Sequence, residues 1–278
     1  MKTFNFTDIE NYSHYLYENE KSQATIEKYT RALRVFYGWL AGKEVSKENV
    51  IAYKAKLTET YAPAGVNTTL AALNGFFRFM GWADCNVKPL HIQRRVFSDK
   101  KKELSREEYQ RLVDTAERLG KRKLSLLLQL MASTGIRVSE VQYITCETVR
   151  QGRAEISLKG KIRVILLPGK LCRKLEKYIR SEGIWAGAVF RSRSGKPLSR
   201  KDIWAQMKRI CKLAGVAPEK VFPHNLRHLF ARTFYRAQKD IAKLADLLGH
   251  SSVETTRIYL LTSGTEHQQA LEHLKLIC

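Results

Sequence analysis

Apolar residues recur at helical spacing along almost the whole of this chain, and they switch to alternation in one short stretch only. In the segment around Ile26, Tyr29, Leu33, Phe36 and Leu40 the repeat of three and four residues predicts an amphipathic helix. Val66, Leu70, Leu73, Phe77 and Met80 predict another, stopped by Gly81. Thr7 with Glu10 has the capping-box pattern for a first helix, and Ser46 opens a third. The first ninety residues therefore read as a four-helix bundle. The pattern breaks up from Ala83 to Lys102, where Pro89, Arg94, Arg95 and the run DKKK suggest a linker. Ser105 and Glu108 then form a second capping box, with helices expected at 105–119 and 122–134. The exception follows: "AEISLKGKIRVILLP" reads as strands Ala154–Leu158 and Ile162–Leu167, joined through Lys159, Gly160 and Lys161 as a hairpin. Helical spacing returns at 170–181, 199–214, 224–237, 240–248, 253–260 and 265–275. The fold class is thus mainly α with a small β component.

At 278 residues the chain exceeds the usual single-core size, so two domains are expected. A hydrophobic fraction of 44% excludes general disorder. No apolar run reaches the ~18 residues of a membrane span, and MKTFNFTDIE is no apolar signal segment, so a soluble, cytoplasmic protein without a membrane partner is expected. The cysteines, Cys85, Cys146, Cys172, Cys211 and Cys278, are odd in number and scattered, without a C-x-x-C pair. They point to reduced thiols rather than a disulfide framework or a zinc site.

Charge separates the two parts. Lys and Arg number 49 against 27 Asp and Glu, a net +22. Residues 1–90 carry 11 basic and 9 acidic side chains, whereas residues 91–278 carry 38 and 18. The second part is the one built to face a polyanion. Such a field attracts phosphate backbones and releases their counterions, which favours nucleic acid as the partner.

Four stretches of that part offer phosphate-directed groups. "STGIRVSEV" places Arg137 two residues after Gly135 and Glu140 one turn on. "SLKGKIR" carries Lys159, Lys161 and Arg163 at the hairpin, and "HNLRH" puts His224 and Arg227 on one helix face. In "LLGHSSVETTRIYL", Tyr259 follows His250 by nine residues. The set suits phosphodiester cleavage. A tyrosine of ordinary pKa, about 10, is a weak nucleophile at neutral pH and needs a base or a positive field. Guanidiniums can clamp non-bridging oxygens, histidines can add donors or accept the tyrosine proton, and a lysine can protonate the leaving oxygen. Each residue alone also has a plainer reading, as core aromatic, helix-start ion pair or surface charge.

Taken together and in this order, T-G-x-R-x-S-E at Thr134–Glu140, a hairpin lysine, H-x-L-R-H at His224–His228, L-G-H at Leu248–His250 and Tyr259 resemble the tyrosine site-specific recombinases of the phage integrase family. The similarity is greatest to its short Xer-type members. The resemblance implies a helical, SAM-like core-binding domain at 1–82, a basic linker at 83–104 and a mixed α+β catalytic domain at 105–278, with an exchange helix at about 265–275. It implies Tyr259 as nucleophile, Arg137 and Arg227 on the scissile phosphate, His224 as proton acceptor or donor, His250 bonding a non-bridging oxygen and Lys159 as general acid. Glu140 would support the site, and His228 would be a packed neighbour. The hairpin departs from the family's G-K-G-x-K-x-R by one residue, which keeps Lys161 open as an alternative acid. Arg94, Arg95, Lys100, Lys101, Lys102, Lys161 and Arg163 are expected to meet DNA.

The resemblance further implies a 3′-phosphotyrosine intermediate that conserves bond energy, so that no cofactor, ATP or metal is needed. It implies double-stranded DNA with inverted-repeat core sites as substrate and a tetramer on DNA, linked through the C-terminal helix, whose Ala270, Leu271, Leu274 and Ile277 could form one apolar stripe. The bundle begins almost at Met1, so no arm-binding domain is expected. Two other readings share these residues: a type IB topoisomerase that reseals without exchange, and a DNA-binding protein that keeps the fold without activity.

Overall fold

A computed structural model describes residues 2–92, 102–158, 161–250 and 252–259, and within it the chain packs as two compact units, Met1–Arg94 and Arg95–Cys278.

The first unit holds helices α1 (Phe6–Glu18), α2 (Gln23–Leu40), α3 (Lys47–Thr60) and α4 (Pro63–Phe79). Helix α2 buries Ile26, Leu33, Phe36 and Leu40, the stripe its spacing predicts. These meet Tyr12 and Leu16 of α1 and Leu70, Leu73, Phe76 and Phe77 of α4 in one aromatic-rich core. Each such side chain withdrawn from water contributes about 1.5–3 kcal/mol. Ser46 caps α3 by accepting from the Asn49 amide at 3.2 Å, as its sequence predicts. The start of α1 differs. Asn5, not Thr7, is its N-cap, and the Asn5 amide donates to Asp8 at 2.8 Å. Two cap patterns overlap at this end, and Asn-x-x-Asp lies two residues nearer the core residue Phe4.

In the second unit, α5 (Arg106–Arg118) opens with the expected box: the Glu108 amide donates to Ser105 Oγ at 3.1 Å, and the Ser105 amide donates to Glu108 at 2.9 Å. Helix α6 (Arg122–Thr134) buries Leu124, Leu126, Leu127, Leu128, Leu130 and Met131, apolar on nearly every side. Such a helix belongs in the middle of a core. Around it pack α5, α8 (Gly169–Ser181) and α10 (Pro223–Gln238). Between α6 and α8 lie a 3₁₀ turn (Val138–Tyr143), the short α7 (Cys146–Gln151), and strands β1 (Arg153–Leu158) and β2 (Lys161–Leu166). The rest is α9 (Arg200–Cys211), α11 (Ile241–Leu248) and α12 (Val253–Arg257). The fold is mostly helical with one two-stranded sheet.

The strands pair antiparallel, with Ala154 opposite Ile165, Ile156 opposite Arg163 and Leu158 opposite Lys161. Their inner face carries buried Ala154, Ile156 and Ile165. By the two-residue period Arg163 shares that inner face, while Ile162, Val164 and Leu166 turn outward, 77%, 44% and 59% exposed. The expected linker contacts Arg94, Arg95, Lys100 and Lys101, the expected acid Lys159, the side chain of Lys161 and the expected helix 265–275 lie outside the described residues.

Candidate active site

Helix α6 ends in Gly135, left-handed at φ 62°, and the positive φ is not the only demand for glycine there. A Cβ at this position would lie 2.5 Å from the Phe230 ring and 2.9 Å from Leu248. The close approach brings α6 against α10 and α11, and it aims the chain so that Arg137 becomes the cap of the 3₁₀ turn. Glu140, one turn on, is 2% exposed. It accepts from the Arg137 amide at 2.9 Å, from Arg137 Nη1 at 2.9 Å and from Arg163 Nη1. Its carboxyl is held below the usual range against burial by these bonds and by the two guanidiniums.

The last carbonyls of α11 have no partners within their own helix, and arginines take three in succession. Arg163 Nη2 donates to Leu247 O at 3.0 Å, Arg227 Nη2 to Leu248 O at 2.7 Å and Arg137 Nη2 to Gly249 O at 3.1 Å. A helix C-terminus is the negative end of its dipole, so cations are favoured there. Gly249, φ 62°, closes the helix. A Cβ on it would lie 2.5 Å from Arg163 Cδ, so the arginine packs directly on the glycine.

Arg227 is 3% exposed, and its Nη1 also donates to Gly135 O. Burial lowers its guanidinium to about 10, still protonated at neutral pH, and the neighbouring Tyr259 side chain acts in the opposite direction. Arg227 Nη2 lies 2.9 Å from His250 Nε2. Because a guanidinium only donates, Nε2 must accept, and the imidazole proton resides on Nδ1, which donates to Thr256 Oγ1 at 2.8 Å. Burial and the surrounding arginines lower His250 to about 4, in keeping with this neutral form.

Tyr259 is 4% exposed and packs on Ala231, Leu244 and Leu248. Three imidazoles surround its ring: His228 at 4.4 Å between centroids, His224 at 5.6 Å and His250, nearly parallel, at 5.7 Å. His224 and His228 touch edge to face at 4.6 Å. Burial lowers both, His228 to about 4. His228 is thus the packed neighbour its sequence position predicts.

Arg137, His224, Arg227, His250 and Tyr259, spread over 123 positions of the sequence, line one cavity of about 660 Å³. The same cavity is also lined by Arg200, Lys201 and Trp204 of α9 and by Phe222. Sequence reading missed these α9 residues, whose only signal is a basic pair and a tryptophan on one helix. Arg163 stands elsewhere than expected. Its side chain is 9% exposed and bound to Glu140, so it is part of the site's foundation rather than of a DNA-facing surface. Lys102 lies within the described residues but does not line the cavity.

Residues 102–265 match the Phage integrase family, and residues 9–84 match its N-terminal SAM-like domain. The chain belongs to the phage integrase family. Tyrosine recombinase XerA of Thermococcus kodakarensis is 32% identical over 279 residues, covering 97% of this chain and 95% of that protein. Tyrosine recombinase XerD of Xanthomonas campestris pv. campestris is 30% identical over 281 residues, covering 91% and 86%. Among solved structures, the XerH recombinase bound to palindromic difH in a post-cleavage complex shares the fold, with a TM-score of 0.74 and 19% identity over 96% of this chain and 84% of that one. A lambda integrase tetramer bound to a Holliday junction does likewise, with 0.74 and 19% over 91% and 76%. This integrase is accordingly an enzyme of site-specific DNA recombination that acts through a tyrosine. Among its described residues no helix is long and apolar enough to cross a membrane.

Proposed function

We propose that Tyr259 cuts one DNA strand by attacking the scissile phosphorus, forming a 3′-phosphotyrosine and releasing a 5′-hydroxyl, which is then replaced by the 5′-hydroxyl of another strand. One P–O bond forms as one breaks in each step. The exchange is therefore balanced without ATP, and the residues named here supply its acid and base without a metal. The observation that carries the reading is the position of Tyr259, ringed by three imidazoles, beside Arg227 and on the same cavity as Arg137.

Arg137 and Arg227 hold the non-bridging oxygens. The backbone carbonyls that orient them leave their positive charge uncancelled, apart from the Glu140 pairing of Arg137. His224, kept neutral by burial, accepts the Tyr259 proton. His250 orients Arg227 through Nε2 and reaches a phosphate oxygen only when that nitrogen carries a proton instead. Lys159, at the hairpin, protonates the departing 5′-oxygen. The linker cations, with Lys161, grip the DNA backbone. Four protomers on two inverted-repeat sites, joined through the C-terminal segment in a cytoplasmic complex, complete the reaction, and the DNA and Holliday-junction complexes formed by proteins of this fold support that assembly.

The test is a nicked suicide site carrying the core repeats. Wild-type protein accumulates a covalent adduct, whereas Tyr259→Phe binds and melts as the wild type does but forms none. Adduct on the phenylalanine variant would transfer the nucleophile's role to another residue.

A further inference from the structure

Strand β2 departs from the ordinary logic of a half-buried strand, since its inner face carries Arg163 beside Ile165. Ile162, Val164 and Leu166 face solvent, while Arg163 turns inward between Glu140 and the end of α11. A shift of one residue would bury three aliphatic side chains at the expense of Ile165 and free the arginine. Arg163 Nε is moreover buried without a hydrogen-bond partner among the described residues. Burying an arginine this way opposes stability, so the arrangement calls for another reason.

Glu140 supplies one. Its buried carboxylate sits directly against Arg137. With Arg137 as sole partner, the pair would be neutral, and a phosphate approaching Arg137 would compete with a carboxylate already in place. Adding Arg163 gives one carboxylate two guanidiniums. Counting Arg227, the three guanidiniums bound at the end of α11 exceed their one carboxylate by two positive charges, the neighbouring imidazoles being neutral, and Arg200 and Lys201 of the cavity lining add to that excess. A phosphodiester carries one negative charge and gains a second as a nucleophile adds, which is the charge such a site must stabilise.

We propose that Arg163 is a positioning residue for the phosphate clamp, neutralising Glu140 so that Arg137 keeps its charge and its remaining N–H donors for the DNA phosphate. The inference rests on the assignment of Arg137 and Arg227 to the scissile phosphate. It distinguishes Arg163 from the surface cations of the protein: its removal should slow the chemistry and leave DNA binding largely intact.

The experiment measures single-turnover adduct formation on the suicide site, with site affinity and melting temperature recorded for each variant. For Arg163→Met, adduct formation should fall about 100-fold, the scale of losing one preorganised charge-stabilising contact, while affinity changes little. Arg163→Lys, which keeps the charge but not the fork, should recover part of the rate. The decisive variant is Glu140→Gln combined with Arg163→Met. Removing the carboxylate charge removes the need to compensate it, so the double variant should be at least roughly tenfold faster than Arg163→Met. A purely structural Arg163 would make the double variant equal or worse, and that result overturns the proposal, as does an Arg163→Met rate equal to wild type. If Arg163→Met does not fold, the double variant is compared with wild type directly: a rate within about tenfold supports charge compensation and a slower one overturns it. Absence of adduct from the wild-type protein would instead overturn the assignment of the site itself.

Discussion

Replacing Gly249 by alanine tests the arginine-bound end of α11 with a single methyl group. Two costs follow from the geometry. The residue is left-handed at φ 62°, where an L side chain costs about 1–2 kcal/mol. The new Cβ would also meet Arg163 at Cδ 2.5 Å, Nε 2.7 Å and Cγ 3.1 Å. These atoms lie in the middle of a buried side chain whose guanidinium is fixed by Glu140 and Leu247 O, so the clash is relieved by pulling Arg163 off its partners. Breaking a buried ion pair costs about 3–5 kcal/mol. Gly120 provides the control: it is left-handed at φ 66°, with nothing within 4 Å of an added Cβ. Gly120→Ala should therefore cost strain alone, lowering the melting temperature of its unit by about 2–8 °C at 2–4 °C per kcal/mol. Gly249→Ala should lose roughly 8–28 °C on the same scale, and its adduct formation should slow as well. Equal melting of the two variants would refute the packing of Arg163 on Gly249 and, with it, the account of how that arginine is held.

Arg227→Lys should bind the site but lose about 100-fold or more in adduct formation, because an ammonium cannot serve Gly135 O, Leu248 O and His250 together; near-normal rates would argue against the clamp. His228 and His250, held to about 4 in the fold against about 6.5 unfolded, bind fewer protons folded than unfolded between those values, so stability is complete above about pH 6.5 and declines as pH falls toward 4. Melting curves across that window should flatten for His228→Gln, and an unchanged slope would remove His228 from the account. With net charge +22, the logarithm of DNA affinity should fall steeply and linearly with the logarithm of salt concentration; a flat dependence would contradict phosphate-dominated binding.

The parts of this site that were legible in the sequence are those fixed by spacing within one element. His224 and Arg227 share a face because they are three apart on α10, and Arg137 with Glu140 follows the same rule on the 3₁₀ turn. Helix α2 buries the stripe that its periodicity announces, since burial of that stripe is what forms the bundle. Arg163 was not legible. Its partners lie 23 and 84 positions away, and the alternation of β2 read alone sends it outward with its charge in water. Tertiary electrostatics overrode the strand pattern, and no local signal records that. The lining contributed by Arg200, Lys201 and Trp204 was hidden for a similar reason: a basic pair and a tryptophan on α9 join a cavity only when residues distant in sequence, such as Arg137 and Tyr259, are folded beside them. Helix α7, six residues long, is too short to show a period.

How the arginines are held bears on what they can bind. A guanidinium can be oriented by carboxylates, which fix it firmly and cancel its charge, or by carbonyls, which fix it through partial charges and cancel none. Here the three carbonyls at the end of α11 do most of the orienting, one for each arginine, and a single carboxylate is shared between two. The L-G-H stretch therefore acts through its backbone as much as through His250. Leu247, Leu248 and Gly249 contribute oxygens, Gly249 contributes the space that Arg163 occupies, and His250 then accepts from the arginine that Leu248 has already aligned. Two residues after α12 the same ribbon of chain delivers Tyr259 to Arg227. Nucleophile and clamp are thus oriented by one continuous segment, so a displacement of α11 relative to α10 should disturb both at once, whereas loss of the Tyr259 hydroxyl alone should leave the clamp intact.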